Sequence, residues 1–318
     1  GPGNVALGFN SSGSIKTNIT GSGGITKNGS GTLILGALVN NSTLNKNAAA
    51  MVVAVLQRRL ASSTFALSES LRRIQQKRLA PQPGKEPSQA ELERLISQLD
   101  NSTADDSEPT EDGGESGDQL EAQFLGAVRP KSRVLIEKEL ALIEGVLELG
   151  RKVKEDAKFK KLRELIDSPE YHNEKLLVFT EHRDTLLYLQ SQFAALGYTD
   201  RVAAIHGGMD ARERECQRVF FMPLELRPQL LRPEELAKMN PPANSASLLV
   251  ATDAAGEGIN LQFAWLMVNY DIPWNPARLE QRMGRLHRYG QQHAEVRLFN
   301  LVAENTREGD VLAVILEK

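Results

Sequence analysis

From about residue 175 onwards, short apolar runs alternate with segments whose apolar positions recur at helical spacing. The runs predict strands at 175–180, 202–205, 247–251, 265–269 and 296–302. The segments between them predict helices at 183–196, at 210 to about 220 and at 276 to about 287. Strands that are apolar throughout and alternate with helices indicate right-handed βαβ units and a parallel sheet with helices on both faces. Residues 171–318 are therefore predicted to form an α/β domain.

Residues 51–170 have the apolar spacing of helices. One helical stretch runs from Met51 towards Arg78, a short helix is predicted near Ala90 to Leu99, and further helices are predicted from Lys138 to Asp167. Prolines and a run of acidic residues at about 81–118 predict a flexible linker around the short helix. This segment is expected to lead into the α/β domain.

The first helical stretch is basic, and its cations have two interpretations. They are Arg58, Arg59, Arg72, Arg73, Lys77 and Arg78, with Glu69 as the only acid among them. Long cationic side chains commonly pack their stems against a helix and leave the charge in solvent. The alternative is contact with the phosphate backbone of a nucleic acid.

Residues 1–50 form a tail rich in Gly, Asn, Ser and Thr that contains no acidic residue. Short alternating pieces at 14–20 and 31–36 predict brief strands. The stretch Gly23 to Leu35 resembles one repeat of an autotransporter passenger β-solenoid. One repeat cannot bury its own faces, because solenoids gain stability by stacking neighbours. The tail is expected to be disordered, or to contribute a few strands to a neighbour.

Bulk composition changes this picture little. The chain has 318 residues, of which 41% are hydrophobic and 25% charged, with a net charge of −3. These values are ordinary for globular domains, and the net charge excludes a uniform attraction to nucleic acid but not a local basic groove. The single cysteine, Cys216, excludes an intramolecular disulfide framework. No apolar run approaches the roughly 20 residues that span a bilayer, so we expect a cytoplasmic protein with no membrane partner.

The most informative polar segment of the domain follows the strand that ends near Ala251. Gly256 and Gly258 allow close approach of a ligand to the backbone, and Thr252, Glu257 and Asn260 place polar groups around that position. In parallel sheets ligands bind beyond the carboxyl ends of the strands, which is where this segment lies. A Gly-x-Gly turn alone is weak support for a site.

A helix that begins at Asn275-Pro276 strengthens the prediction. Asparagine caps free backbone N–H groups, and proline suits the first helical turn. At about 100° per residue, one face carries Arg278, Gln281, Arg282, Arg285 and Arg288. A separate apolar stripe is formed by Leu279, Met283 and Leu286, which we expect to face the core. Guanidinium groups bind phosphate bidentately, so the pattern predicts a polyphosphate ligand.

Four segments together resemble the second lobe of superfamily-two helicases, in the Swi/Snf-type branch with RapA-like bacterial members. They are 178–185, 205–209, 251–262 and 281–291, in the order and spacing of that family. The resemblance implies a RecA-like fold for residues 171–318. It also implies that Arg285 and Arg288 act as arginine fingers on a bound ATP, and that Gln281, Gly256 and Glu257 line the nucleotide cleft, with Asn260 beside them. Thr180, His206, Gly207 and Thr252 are then expected to face a nucleic acid backbone.

Two departures from the family pattern qualify this expectation. The sequence has no Gly-x-x-x-x-Gly-Lys-Ser/Thr loop and no strand ending in Asp-Glu-x-His. We therefore expect ATP and Mg²⁺ to be held mainly by a missing first lobe, and this chain to be inactive alone. The connection at 220–247 is also longer than the family usually has.

The leading hypothesis is the C-terminal lobe of an ATP-dependent nucleic-acid translocase whose partners are the first lobe and double-stranded DNA. One alternative is a non-enzymatic docking module for nucleic acid or protein. Another is a surface β-solenoid fragment defined by the first 50 residues. No metal site is expected, because His182, His206 and His287 do not have the spacing of metal ligands.

Overall fold

A computed structural model describes residues 46–80, 88–104, 117–128, 132–153, 155–253, 261–273, 275–286, 291, 293 and 295–302. The predictions made for residues 1–45, including the β repeat, lie outside this range. The described residues fall into two compact units, which divide between Ala157 and Lys158. The predicted boundary at residue 171 therefore lies inside the second unit. No helix in the described part of the chain is long and apolar enough to cross a membrane.

The first unit consists of helices. They are α1 (Lys46–Ser62), α2 (Thr64–Leu79), α3 (Gln89–Ala104), α4 (Gly117–Ala127) and α5 (Arg133–Arg151). The long helical stretch predicted from Met51 is divided at Ser63, whose side chain accepts a hydrogen bond from the Ala66 N–H and so caps α2. A serine that caps a new helix ends the preceding one, because its own backbone is extended. Apolar side chains of all five helices form a common core.

Buried ion pairs hold these helices together and use several of the cations of the basic stretch. Arg59 is 1% exposed, and its guanidinium lies 2.7 Å from Glu121 and 2.7 Å from Asp118. Arg78 donates from Nε to Glu139 over 2.7 Å. Arg58 also donates to Glu121, whereas Arg72 makes a more exposed ion pair with Glu69 of its own helix. The packing interpretation, in which the charge stays in solvent, is wrong for Arg58, Arg59 and Arg78, because each guanidinium is largely buried and pairs with an acid of the same unit.

The second unit contains the α/β domain. Its helices and strands are α6 (Ala157–Ile166), β1 (Leu176–Thr180), α7 (Arg183–Ala195), β2 (Val202–Ile205), α8 (Ala211–Phe221), α9 (Arg227–Leu230), α10 (Pro233–Met239), β3 (Leu248–Thr252), β4 (Leu266–Asn269), α11 (Pro276–Met283) and β5 (Arg297–Asn300). A short 3₁₀ turn at Thr199–Arg201 precedes β2. Each predicted strand and helix of this domain is present, and the predicted bounds differ mainly at the carboxyl ends of α11 and β5.

The five described strands form one parallel sheet in the order β2-β3-β1-β4-β5. One face packs through Leu177, Phe179 and Leu249 against Phe220 and Phe221 of α8. Side chains of a strand alternate between faces, so Leu176 and Val178 point to the opposite face, where they are equally buried. Helix α7 packs against β1, β2 and β3. The predicted α/β fold with a parallel sheet is confirmed.

The long connection at 220–247 is an ordered part of this unit. It carries the short helices α9 and α10, and its centre is Arg227, which is 6% exposed. The Arg227 guanidinium donates to the carbonyl oxygens of Pro242 at 2.8 Å, Asn244 at 2.9 Å and Phe220 at 3.3 Å. One buried side chain thus joins the two ends of the connection, which explains how extra residues are accommodated without disturbing β3.

Lys175 lies beside this connection and is predicted to make stability depend on pH. Burial lowers the pKa of its ammonium group to about 8, and the charge of Arg227 acts in the same direction. The unfolded chain therefore binds this proton more tightly than the folded one. The free energy of unfolding is expected to rise between pH 8 and about pH 10.5 as the folded protein is relieved of a buried charge.

Urea unfolding at a series of pH values checks this prediction. Lys175→Met should remove the rise, whereas the exposed Lys160→Met should retain it. An unchanged rise in Lys175→Met would show that another group is responsible.

Candidate functional site

The carboxyl ends of the strands bring several polar side chains to one edge of the sheet. Thr180 at the end of β1 is the register partner of Thr252 at the end of β3. Asn269 at the end of β4 is the partner of Asn300 at the end of β5, and its side chain donates to the Asn300 Oδ1 over 2.8 Å. This edge is where the sequence predicts a ligand site, and the parallel register is the reason that the side chains converge.

Helix α11 begins next to this edge. Its N-cap Asn275 accepts a hydrogen bond from the Ala277 N–H over 2.9 Å, as predicted from the Asn-Pro pair. Leu279 and Leu286 are buried at 4% and 0% exposure, but Met283 is 40% exposed. The expectation that Met283 packs in the core is wrong. The helix ends at Met283, so Leu286 is buried from the turn that follows and does not continue a helical apolar stripe through Met283.

Arg282 is the most constrained residue of the arginine helix. It is 2% exposed and makes a two-pronged ion pair with Asp253, in which the longer hydrogen bond is 2.7 Å. Its Nη1 donates to the Asn269 side chain at 3.1 Å and to the Asp271 carbonyl oxygen at 2.8 Å. The guanidinium carbon of Arg282 lies over the Phe179 ring, 5.5 Å from the centre of the ring. One guanidinium thus connects α11 to the ends of β3 and β4.

The interpretation of Arg282 as part of an open phosphate-binding face is therefore corrected. Burial by itself lowers the pKa of this guanidinium, but the charge and hydrogen bonds of Asp253, and then the charge of Asp271, outweigh it and raise the pKa. The cation is held by the half-buried Asp253 and the buried Asp271, and a helical projection cannot reveal this. Its signal in the sequence is an acidic residue within two positions of the end of each strand, Asp253 after β3 and Asp271 after β4.

Asp271 joins a second segment to this arrangement. Its Oδ2 accepts the Thr180 hydroxyl over 2.6 Å, and its Oδ1 accepts the Glu181 N–H over 2.8 Å. The same Oδ1 lies 3.5 Å from the Arg282 guanidinium. Thr180, which ends β1, and Glu181, which follows it, are thereby held against the segment that follows β4. Asp271 was not among the residues predicted from the sequence.

The turn after β2 contains the predicted residues His206 and Gly207. The His206 Nδ1 accepts the Gly208 N–H over 3.2 Å, and Arg214 donates to the carbonyl oxygens of Gly207 and Met209. Burial, followed by the charge of Arg183, lowers the pKa of His206. A Cβ added at Gly208 would lie 3.5 Å from an Arg183 nitrogen. The turn is an exposed stretch of backbone with cations on both sides, a geometry suited to an anion.

The remaining predicted site residues are distributed as follows. Gln281 is exposed on α11, and Arg285 is half-buried in the turn that follows the helix. Thr180 is fully buried. Thr252 is 5% exposed, and within the described residues its hydroxyl has no hydrogen-bond partner. Gly256, Glu257, Asn260 and Arg288 lie outside the described residues. Thr180, Thr252 and the arginine helix share one edge of the sheet, and His206 and Gly207 follow the neighbouring strand β2.

Residues 157–290 match the family described as the helicase conserved C-terminal domain. The predicted resemblance to Swi/Snf-type helicases with RapA-like members is confirmed at this level.

Three similar proteins illustrate the match. The "Uncharacterized ATP-dependent helicase YqhH" of Bacillus subtilis is 34% identical over 158 residues, which are 50% of this chain and 24% of that protein. The "RNA polymerase-associated protein RapA" of Serratia proteamaculans is 32% identical over 136 residues, 43% of this chain and 12% of that protein. The chain thus spans a quarter or less of these relatives. The solved C-terminal part of the Fun30 ATPase domain is 16% identical, with a TM-score of 0.40 over 77% of this chain and 82% of that one.

Proposed function

We propose that this chain is the C-terminal lobe of an ATP-dependent nucleic-acid helicase or translocase. The observation that carries the proposal is the anchoring of α11 by Arg282, which fixes the arginine helix at the carboxyl edge of a parallel sheet. Arg285 lies three residues further along the chain, in the turn that follows this helix. The match to the helicase C-terminal domain includes this helix.

In this proposal the lobe contributes half of a nucleotide site. Bound ATP and Mg²⁺ would supply the phosphoryl group and neutralise part of its charge. Arg285 and Arg288 would act as arginine fingers, which donate hydrogen bonds to the phosphoryl oxygens and stabilise the charge that develops on them. The residues of the arginine helix fit this task, since guanidinium groups remain charged near neutral pH. We propose that a first lobe holds the remaining phosphate contacts and the metal, and that this chain alone is inactive.

The second part of the proposal concerns nucleic acid. The turn at His206 and Gly207, with Arg183 beside it, offers cations and open backbone to a phosphate group. We propose the same role for the Thr252 hydroxyl, which has no hydrogen-bond partner among the described residues. We propose double-stranded DNA as the nucleic acid and the cytoplasm as the location; relatives named for RNA polymerase association and for chromatin regulation support a role on DNA.

Binding of a DNA duplex to the chain, followed by fluorescence anisotropy, tests this function. The affinity is expected to fall steeply with salt, with a logarithmic slope of about −0.9 for each phosphate contacted. Arg183→Gln should reduce the magnitude of that slope by about one, whereas the exposed Arg232→Gln just before α10 should leave it unchanged. Absence of binding at low salt would contradict the proposed function. Binding with no ATP hydrolysis even in the presence of an ATP-binding first lobe would favour the docking-module alternative.

A further inference from the structure

The segment that follows β1 and the arginine helix are connected to each other twice. The first connection runs from the Thr180 hydroxyl and the Glu181 N–H, at 2.6 and 2.8 Å, through the Asp271 carboxylate to Arg282. The second is direct, since the Glu181 carboxylate lies 3.9 Å from the Arg278 guanidinium. Both arginines are on α11, one turn apart. Neither connection follows from the activity of the domain family.

These contacts are suited to transmit displacement rather than only to stabilise the fold. Thr180, Asp271 and Arg282 are each 2% exposed or less, so water does not compete for the hydrogen bonds between them. The two carboxylate oxygens of Asp271 accept hydrogen bonds from Thr180 and Glu181, and its backbone carbonyl oxygen accepts one from Arg282. A displacement of Thr180 and Glu181 would therefore strain their hydrogen bonds to Asp271, and a displacement of Asp271 would strain its hydrogen bond to Arg282.

We propose that Asp271 is a positioning residue that joins the segment after β1 to the arginine helix, so that the two respond as one body. This inference rests on the proposed function. Duplex DNA that engages the residues after β1 and β2 would then order α11 and the arginines that follow it, without touching the helix. The coupling is expected to be within the range usual for linked sites, about fivefold or more in an equilibrium constant.

Amide hydrogen exchange in the intact chain, with and without saturating DNA duplex, measures this response. In the unmodified protein the duplex is expected to slow exchange of the α11 amides by about fivefold or more. Thr180→Val keeps the side-chain shape but removes the hydroxyl donor, and should abolish most of the slowing. Thr180→Ser keeps the hydroxyl and should retain it. Asp271→Asn should behave like Thr180→Val, and Glu234→Gln on exposed α10 like the unmodified protein.

The outcomes separate this proposal from the proposed function. If the duplex does not bind, both fail. If it binds but α11 exchange does not change, only the coupling fails. Equal slowing in Thr180→Val and Thr180→Ser would overturn the role of the hydroxyl link, and loss of DNA binding in Thr180→Val alone would show that the hydroxyl contacts nucleic acid instead.

Discussion

Arg285→Ala, in a protein that combines this chain with an ATP-binding first lobe, is expected to lower DNA-stimulated ATP hydrolysis by about 10³-fold or more. The same loss is expected for Arg288→Ala. An arginine that contacts the transferring phosphoryl group stabilises charge in a site that excludes water, which is worth roughly 4–7 kcal/mol at that ratio. An exposed surface ion pair is worth only about 0–1 kcal/mol. Steady-state phosphate release measures the effect.

Two controls make the result specific. Arg232→Ala removes the arginine that precedes α10, whose side chain is 79% exposed, and should leave the rate unchanged. Arg285→Lys retains the charge but not the planar fork, and is expected to recover only part of the activity. If hydrolysis survives both Arg285→Ala and Arg288→Ala, the arginine fingers lie elsewhere.

Arg282→Met is expected to lower the free energy of unfolding by about 3–5 kcal/mol. The substitution has similar volume, but it leaves the carboxylates of Asp253 and Asp271 at the sheet edge without the cation that neutralises them. Breaking one side of a buried ion pair costs far more than breaking an exposed one. Urea unfolding followed by circular dichroism gives the value.

Arg278→Met is the matched control, because it removes an arginine of the same helix whose side chain is 28% exposed. Its guanidinium lies 3.9 Å from the Glu181 carboxylate, which is a longer contact than those of Arg282. Its expected cost is about 1 kcal/mol or less. Combining Arg282→Met with Asp253→Asn should cost less than the sum of the single changes, since the unpaired charge is then removed. Similar costs for Arg278→Met and Arg282→Met would contradict the anchoring role of Arg282.

The strands β1 to β5 and the start of α11 were predicted from apolar runs and the Asn275-Pro276 pair, because both signals act within a few residues. The division of the helical stretch at Ser63 was missed, since a capping serine is also a common helix-surface residue. The longer connection at 220–247 was noticed but not explained. Its fold depends on Arg227 reaching carbonyl groups up to 17 residues away in the chain.

The site shows the same limit more sharply. Counting arginines on a helical projection identified the right helix but grouped Arg282 with residues meant for a ligand. The projection describes directions around one helix, and it contains no information about the acids at the ends of β3 and β4. For the same reason Asp271 was overlooked. Its function as a hydrogen-bond acceptor for Thr180 arises from two strands that are adjacent in the sheet and 91 residues apart in the chain.

By itself, the sequence determined the class of this domain: alternating strands and helices, with a glycine-rich segment and an arginine helix in the order of a helicase C-terminal domain. These features are local or depend only on order along the chain, so composition and spacing are sufficient to reveal them. Only the tertiary structure decided which arginine anchors the helix, where Met283 lies and that Asp271 connects β1 to α11. Those facts depend on the parallel register of the sheet, which brings together residues that no spacing rule relates.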